Sequence, residues 1–286
     1  MNLVEIRVKG SKKFTLGIDS EKVIKTEVRL PRDWMISDSN ISCGDWEEVR
    51  LWGLNNGYEL CEIDATDPLL PVTMVNWFDC ALFCNAKSEM EGLDPAYTID
   101  GELVSGSQEV QKNKNKIDMG RFRVIKDASG YRLPTEVQWE YCATNGGNIT
   151  PEEYMSHQYS NIPCFDSNCT YCTHKTWVPD RRNPEEGKWI GDLEQIYSRD
   201  PSATGLYHMT GNTLEWVFDD FSDVAYETDG DGEDPDFNED HGRFEKTLKS
   251  SAYIRINPDM HASDRYCCNA TFRMQHVSFR IVKPIL

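Results

Sequence analysis

The chain has 286 residues, 48 Asp and Glu against 30 Lys and Arg, a formal charge of −18, and 11% aromatic residues. A disordered acidic chain would be short of aromatics, so this one is expected to fold, and its length allows a sizeable core. A pI near 4.7 argues against nucleic-acid binding, which needs clustered Lys and Arg.

In chain order, VEIRV, FTLGI and KTEVRL alternate like strands. The run VTMVNWFDCALFCNAKSEMEGL predicts an amphipathic helix with Cys80, Ala81, Phe83 and Cys84 on its apolar face and Gly92 at its end. SGSQEVQKNKNK is the most disorder-like part. In GYRLPTEVQWEYCATNGG, Pro134 marks a helix start that Thr135 can cap, and Gly146 and Gly147 end it. Residues from about 151 to 200 read as long loops, TGLYHMTGNTLEWVFDDF as turns and a short strand, and VSFRIVKPIL as a last strand. Few helices among short strands predict a single α+β domain over residues 1–286. No stretch approaches the roughly 18 apolar residues of a membrane span. MNLVEIRVKGSKKF carries no apolar signal run, so a cytoplasmic protein is the expectation.

Much of the charge lies in one place: residues 219–240 hold 11 Asp and Glu and no Lys or Arg. They read as an acidic loop insertion, either a solvated loop or a loose calcium site. An EF-hand is excluded, because with Asp229 as the first loop position the sixth is not the glycine needed there but Asp234. Cys164, Cys169, Cys172 and His174 form a C-x4-C-x2-C-x-H cluster. Three thiolates and an imidazole suit tetrahedral zinc, while a local disulfide or unrelated loop thiols fit the same spacing. Cys80, Cys84 and Cys142 read as core fillers.

PVTMVNWFDCALFCNAKSEMEGLDPAYTI, GYRLPTEVQWEYCATNGG, TGLYHMTGNTLEW and SFRIV, in this order, resemble the formylglycine-generating (sulfatase-modifying factor) family. The resemblance implies a C-type lectin-like fold with long loops and paired terminal strands. It also implies a calcium site in the GN-x-x-E-W motif, here Asn212 and Glu215. A hydrogen-bonded turn without metal is the alternative for those residues. Arg132 and Glu140 are expected in a structural charge network.

The family's enzymes oxidise a substrate cysteine with copper held by two thiols shortly after an R-G-G-S-[WY] segment. That segment is KSSAY here, and the two thiol positions carry Arg255 and Met260. A guanidinium cannot be the soft anionic ligand that Cu(I) requires, so copper is not expected. Arg265 and Arg273 fall where the family usually keeps arginines. A second branch, the variable proteins of diversity-generating retroelements, uses the fold to bind ligands. Its C-terminal segment is rewritten by adenine-directed mutagenesis, which turns AAC or AAT codons into many residues but never Lys, Glu, Gln, Met or Trp. Residues 254–276 contain no Lys, Glu or Trp, and Met260, Met274 and Gln275 alone lie outside the reachable set.

The expected function is therefore non-enzymatic binding of a protein ligand through a variable segment at residues 249–280. Its contact residues would be Tyr253, Arg255, Asn257, Asp259, His261, Asp264, Tyr266, Cys267, Cys268, Asn269, Phe272 and His276. The alternatives are a metal-dependent oxidoreductase of the same family and an inactive paralogue.

Overall fold

The computed structural model of the protein describes residues 1–8, 12–17, 26–64, 66–105, 122–146, 148, 176–179, 187–221, 244–254 and 261–285. A four-stranded sheet organises the core: β12 (Tyr266–Asn269), β11 (Glu245–Lys249), β10 (Leu214–Asp220) and β13 (Val277–Phe279), in that order. β10 pairs antiparallel with β11 and parallel with β13, with Glu215 opposite Ser278. Side chains alternate along β10. Leu214, Trp216 and Phe218 enter one core cluster, and Val217 enters a second. Glu215 joins Val217 on that second face, beside Trp139.

Three helices lie among the described residues: α1 (Cys43–Leu54), α2 (Trp77–Met90) and α3 (Glu136–Ala143). Each begins with a capping box, in which the cap side chain and the third helical residue satisfy each other's backbone amides: Ser42 with Asp45, Asn76 with Asp79, and Thr135 with Gln138. α2 and α3 match the sequence expectation, and Gly92 and Gly146 follow them at positive φ. α2 is not amphipathic, however. Asp79, Asn85 and Ser88 are buried along with its apolar residues, because the helix crosses the centre of the molecule. Trp77 donates its indole N–H to the Val217 carbonyl, and Trp216 donates to the Val75 carbonyl, so α2 and β10 hold each other from both sides. α1 was not foreseen. It stacks Trp46 on Phe83, with ring centroids 5.4 Å apart.

The terminal strands share one sheet but do not pair with each other directly. β4 (Trp34–Ser37) lies between β1 (Leu3–Ile6) and β14 (Val282–Pro284). The expected final strand divides in two: β13 serves the central sheet, and β14 joins β4. The region expected to be loop from 151 to 200 contains a hairpin of β8 (Thr176–Pro179) and β9 (Gly187–Ile190). Two further sheets join β2 (Lys12–Leu16) to β3 (Thr26–Leu30), and β6 (Glu102–Leu103) to β5 (Tyr97–Ile99) and β7 (Phe122–Val124). No described helix is long and apolar enough to cross a membrane. SGSQEVQKNKNK lies outside the described residues.

Trp77 is buried and packs edge-on against Phe122, with ring centroids 5.0 Å apart. Trp77→Ala is expected to cost about 3–5 kcal/mol, read as a lower midpoint in urea denaturation.

Candidate functional site

Glu215 and Arg280 form an ion pair with neither side chain exposed. The Arg280 guanidinium donates to both Glu215 oxygens, at 2.6 and 2.8 Å. Trp139 donates its indole N–H to Oε2 at 2.7 Å, and Asn40 donates Nδ2–H to Oε1 at 3.0 Å. Each carboxylate oxygen thus accepts two N–H donors. Asn212, held at φ 61, grips the Glu194 backbone: its Oδ1 accepts from the Glu194 amide and its Nδ2 donates to the Glu194 carbonyl. These are the two groups for which calcium and a hydrogen-bonded turn without metal were the alternatives, and both make extensive hydrogen bonds. Donor hydrogens point at the oxygens a cation would need, and Arg280 already supplies the positive charge.

A second charged network joins α3 to the C-terminal sheet. The Glu136 carboxylate accepts from Arg265 Nε at 2.6 Å and Lys249 Nζ at 3.2 Å, and Lys249 also reaches Glu140 Oε2 at 3.2 Å. Burial by itself would raise the Glu136 carboxyl, but Lys249 and Arg265 outweigh it and hold it below the usual range. Glu140 thus joins the expected structural network. Arg132 donates to Gln138 Oε1 at 2.8 Å. Asp219 accepts the Glu136 amide at 2.6 Å, and Asp220 pairs with the buried Lys246. The first two acids of the expected acidic loop therefore belong to β10. Residues 222–240 of that stretch lie outside the described residues.

The C-terminal segment divides by side chain. Arg273 is held bidentately by the buried Asp79 at 2.7 and 2.8 Å. On β12, Cys268 packs into the core and Tyr266 lies against it, whereas Cys267 is exposed. Cys268 is thus a packing residue, contrary to expectation, because the two-residue period of a strand turns alternate side chains inward. Asn269 turns its Oδ1 to the Thr271 amide and hydroxyl. Asp264 accepts the His261 amide at 3.0 Å, and His276 is half-buried.

Phe272 stands out at 58% exposure, and Tyr253 is half-buried with its hydroxyl 3.5 Å from the Gln275 carbonyl. The exposed Met74 is tied to the same segment, its amide donating to the Met274 carbonyl at 3.1 Å. Met74 was missed from sequence, though it lies in the helix-leading turn VTMVN. Arg255, Asn257 and Asp259, and the zinc candidates Cys164, Cys169, Cys172 and His174, lie outside the described residues, as does Met260. Among the described residues no group of three or more His, Cys, Asp or Glu could hold a metal.

Residues 8–285 match the sulfatase-modifying factor enzyme 1-like domain. The chain belongs to this family. It is 31% identical over 159 residues to the chaperone protein LppX of Paenibacillus barcinonensis, covering 52% of this chain and 51% of that protein. The chain thus spans about half the length of that curated relative. Among solved structures it is similar to CarF, with a TM-score of 0.67 and 21% identity over 100% of this chain and 98% of that one. It is also similar to Treponema denticola variable protein 1, with a TM-score of 0.65 and 18% identity over 99% and 95% of the two chains. PvdO from Pseudomonas aeruginosa gives 0.59 and 16% over 99% and 94%. These structural similarities establish a shared fold, the C-type lectin-like fold of the sulfatase-modifying factor family. That family includes both enzymes and non-catalytic members, so activity must be argued from residues.

Two outcomes follow for this family member. Glu215→Gln leaves Arg280 buried without its counter-charge and is expected to cost about 3–5 kcal/mol, whereas EDTA leaves the Tm of the unaltered protein unchanged. His208 sits at φ 50 with 1% exposure, its Nε2 3.3 Å from Ser198 Oγ. Burial pushes its pKa down to about 4; Glu194 opposes this, while Arg199 and Arg280 reinforce it. The unfolded chain, titrating near 6.5, therefore binds the extra proton between pH 4 and 6.5. Stability contributed by neutral His208 is complete above pH 6.5 and falls as pH drops towards 4, by about 3 kcal/mol at most at 1.36 kcal/mol per unit. Denaturation at several pH values should show that His208→Gln flattens this slope.

Proposed function

We propose that the protein is a non-enzymatic binding protein, the variable protein of a diversity-generating retroelement, which presents its C-terminal surface to a protein ligand. The observation that carries this reading is the division of labour within residues 261–276. Arg265, Cys268 and Arg273 face inward and hold the frame. Cys267, Phe272 and Gln275 are exposed. An exposed aromatic among small polar groups is the composition of a recognition surface. The fold shared with the Treponema variable protein supports the same reading.

Copper oxidase chemistry is disfavoured on the residues. Cys267 and Cys268 point to opposite sides of β12, so the two sulfurs cannot converge on one metal ion. Burial also raises the Cys268 thiol to about 11, which opposes the thiolate a metal would need.

Sequencing the genes beside this one provides the test. A reverse-transcriptase gene and a near-copy of the 3′ end that differs at adenines are expected; the absence of both would sink the proposal. Stability measurements test the division itself. Phe272→Ser should change stability by no more than about 0.5 kcal/mol, whereas Arg273→Ala strands buried Asp79 and should cost about 3 kcal/mol.

A further inference from the structure

The sequence holds two Asn–Gly steps, Asn56–Gly57 and Asn145–Gly146. An asparagine before glycine can lose its amide when the glycine's backbone nitrogen attacks the side chain, because glycine has no side chain to shield that nitrogen. The structure treats the two steps differently.

Asn56 and Gly57 lie just beyond α1, and both are exposed. Gly57 stands at φ 83, and a Cβ placed on it would meet nothing within 4 Å. Among the described residues its amide donates to no protein acceptor, whereas the neighbouring amides of Asn56 and Tyr58 both donate to the Gly53 carbonyl, at 2.9 and 3.0 Å. The Asn56 carboxamide donates Nδ2–H to the Trp52 carbonyl at 2.7 Å, an exposed bond at the last turn of a helix, where opening costs little. Asn145–Gly146 is closed by comparison. Both residues are half-buried, the Gly146 amide donates to the Tyr141 carbonyl at 2.8 Å, and the Tyr141 ring lies 3.0 Å from where a Gly146 Cβ would be.

We propose that Asn56 is a deamidation site, converted by solvent water to aspartate or isoaspartate, while Asn145 is spared. The Gly57 nitrogen gives its proton to solvent base and bonds to Asn56 Cγ, closing a succinimide ring. The Cγ–Nδ2 bond breaks, and the nitrogen leaves as ammonia on taking a proton back. Water then adds to one imide carbonyl, the ring C–N bond there breaks, and the Gly57 nitrogen regains a proton. The sum is amide plus water to acid plus ammonia, with no change of oxidation state. Either product puts a carboxylate at the C-terminal end of α1, which the helix dipole opposes. Isoaspartate also reroutes the main chain through the side-chain carbon, beside the turn that returns Tyr58 to Gly53. That turn has little slack: Tyr58 is buried, and a Cβ on Gly53 would come 3.0 Å from Tyr58 Cβ.

The test incubates the full chain at neutral and mildly alkaline pH and follows both asparagines by peptide mass spectrometry, beside a synthetic peptide of residues 53–59. Asn56 should convert at a rate within about tenfold of the peptide's, and at least about tenfold faster than Asn145, whose glycine amide must first break its hydrogen bond. Conversion should quicken with pH, because the Gly57 nitrogen attacks only on losing its proton. The aged chain should melt at a lower temperature than fresh protein. Asn56→Gln, at an exposed position and checked for an unchanged Tm, should stop conversion there and hold the aged Tm at its fresh value. Asn145 converting as fast as Asn56, or Asn56 staying intact after the peptide has converted, would each overturn the proposal.

Discussion

The rest of the structure depends on one buried ion pair. Removing Glu215 and Arg280 from water costs several kcal/mol per ion, a penalty that is offset only when nearly every donor and acceptor is used. That condition is met. The carboxylate receives four N–H donors, and Arg280 also reaches the carbonyls of Tyr207, at 3.1 Å, and Ser37, at 3.4 Å. The partners come from β4 and the loop after it, α3, β10, the residue after β13 and the turn before β10. Satisfying one carboxylate therefore requires all five to be in place together. Slipping β13 by one residue against β10 would turn Arg280 to the opposite face and leave Glu215 buried alone.

The same demand recurs along β11. Lys246 lies 4.3 Å from the centre of the Trp77 ring and pairs with Asp220, and burial depresses its pKa although that carboxylate opposes the shift. Lys249 sits between Glu136 and Glu140. The seam between the central sheet and helices α2 and α3 is thus built from charges as well as aromatics. Such a seam is poorly suited to chemistry, because each cation is already committed to a carboxylate. It suits a frame that must not shift.

The sequence revealed fold class, two of the three helices and the family, because these rest on local signals. Thr135, Pro134 and Gly146 bracket α3 by their own chemistry, and the apolar density after Asn76 announces α2. Helix α1 has an equally good local signal in Ser42 and Asp45, but it lies within a run that otherwise reads as extended. Partners distant in sequence were not legible. Nothing near Glu215 indicates that Arg280, 65 residues later, will occupy its oxygens, so calcium and a hydrogen-bonded turn stood as alternatives for it. Arg265 and Arg273 could be picked out by position, but their purpose appeared only when Glu136 and Asp79 came beside them. Inward and outward residues of β12 became distinct only when its pairing with β11 set the face on which Cys268 lies.

How the C-terminal segment is held bears on what it can tolerate. Its anchors are main-chain groups. The Tyr253 amide donates to the Asn212 carbonyl, Trp77 to the Ala270 carbonyl, Met74 to the Met274 carbonyl and Leu214 to the His276 carbonyl. Almost any residue supplies the same carbonyl, so the path of the chain does not depend on which side chains it carries outward. Side-chain dependence is concentrated in a few inward positions, Arg265, Cys268 and Arg273, where a buried carboxylate or the core requires a particular group. A surface built this way can change its outward residues with little effect on the backbone beneath, which is the physical requirement for a binding face whose sequence is free to vary.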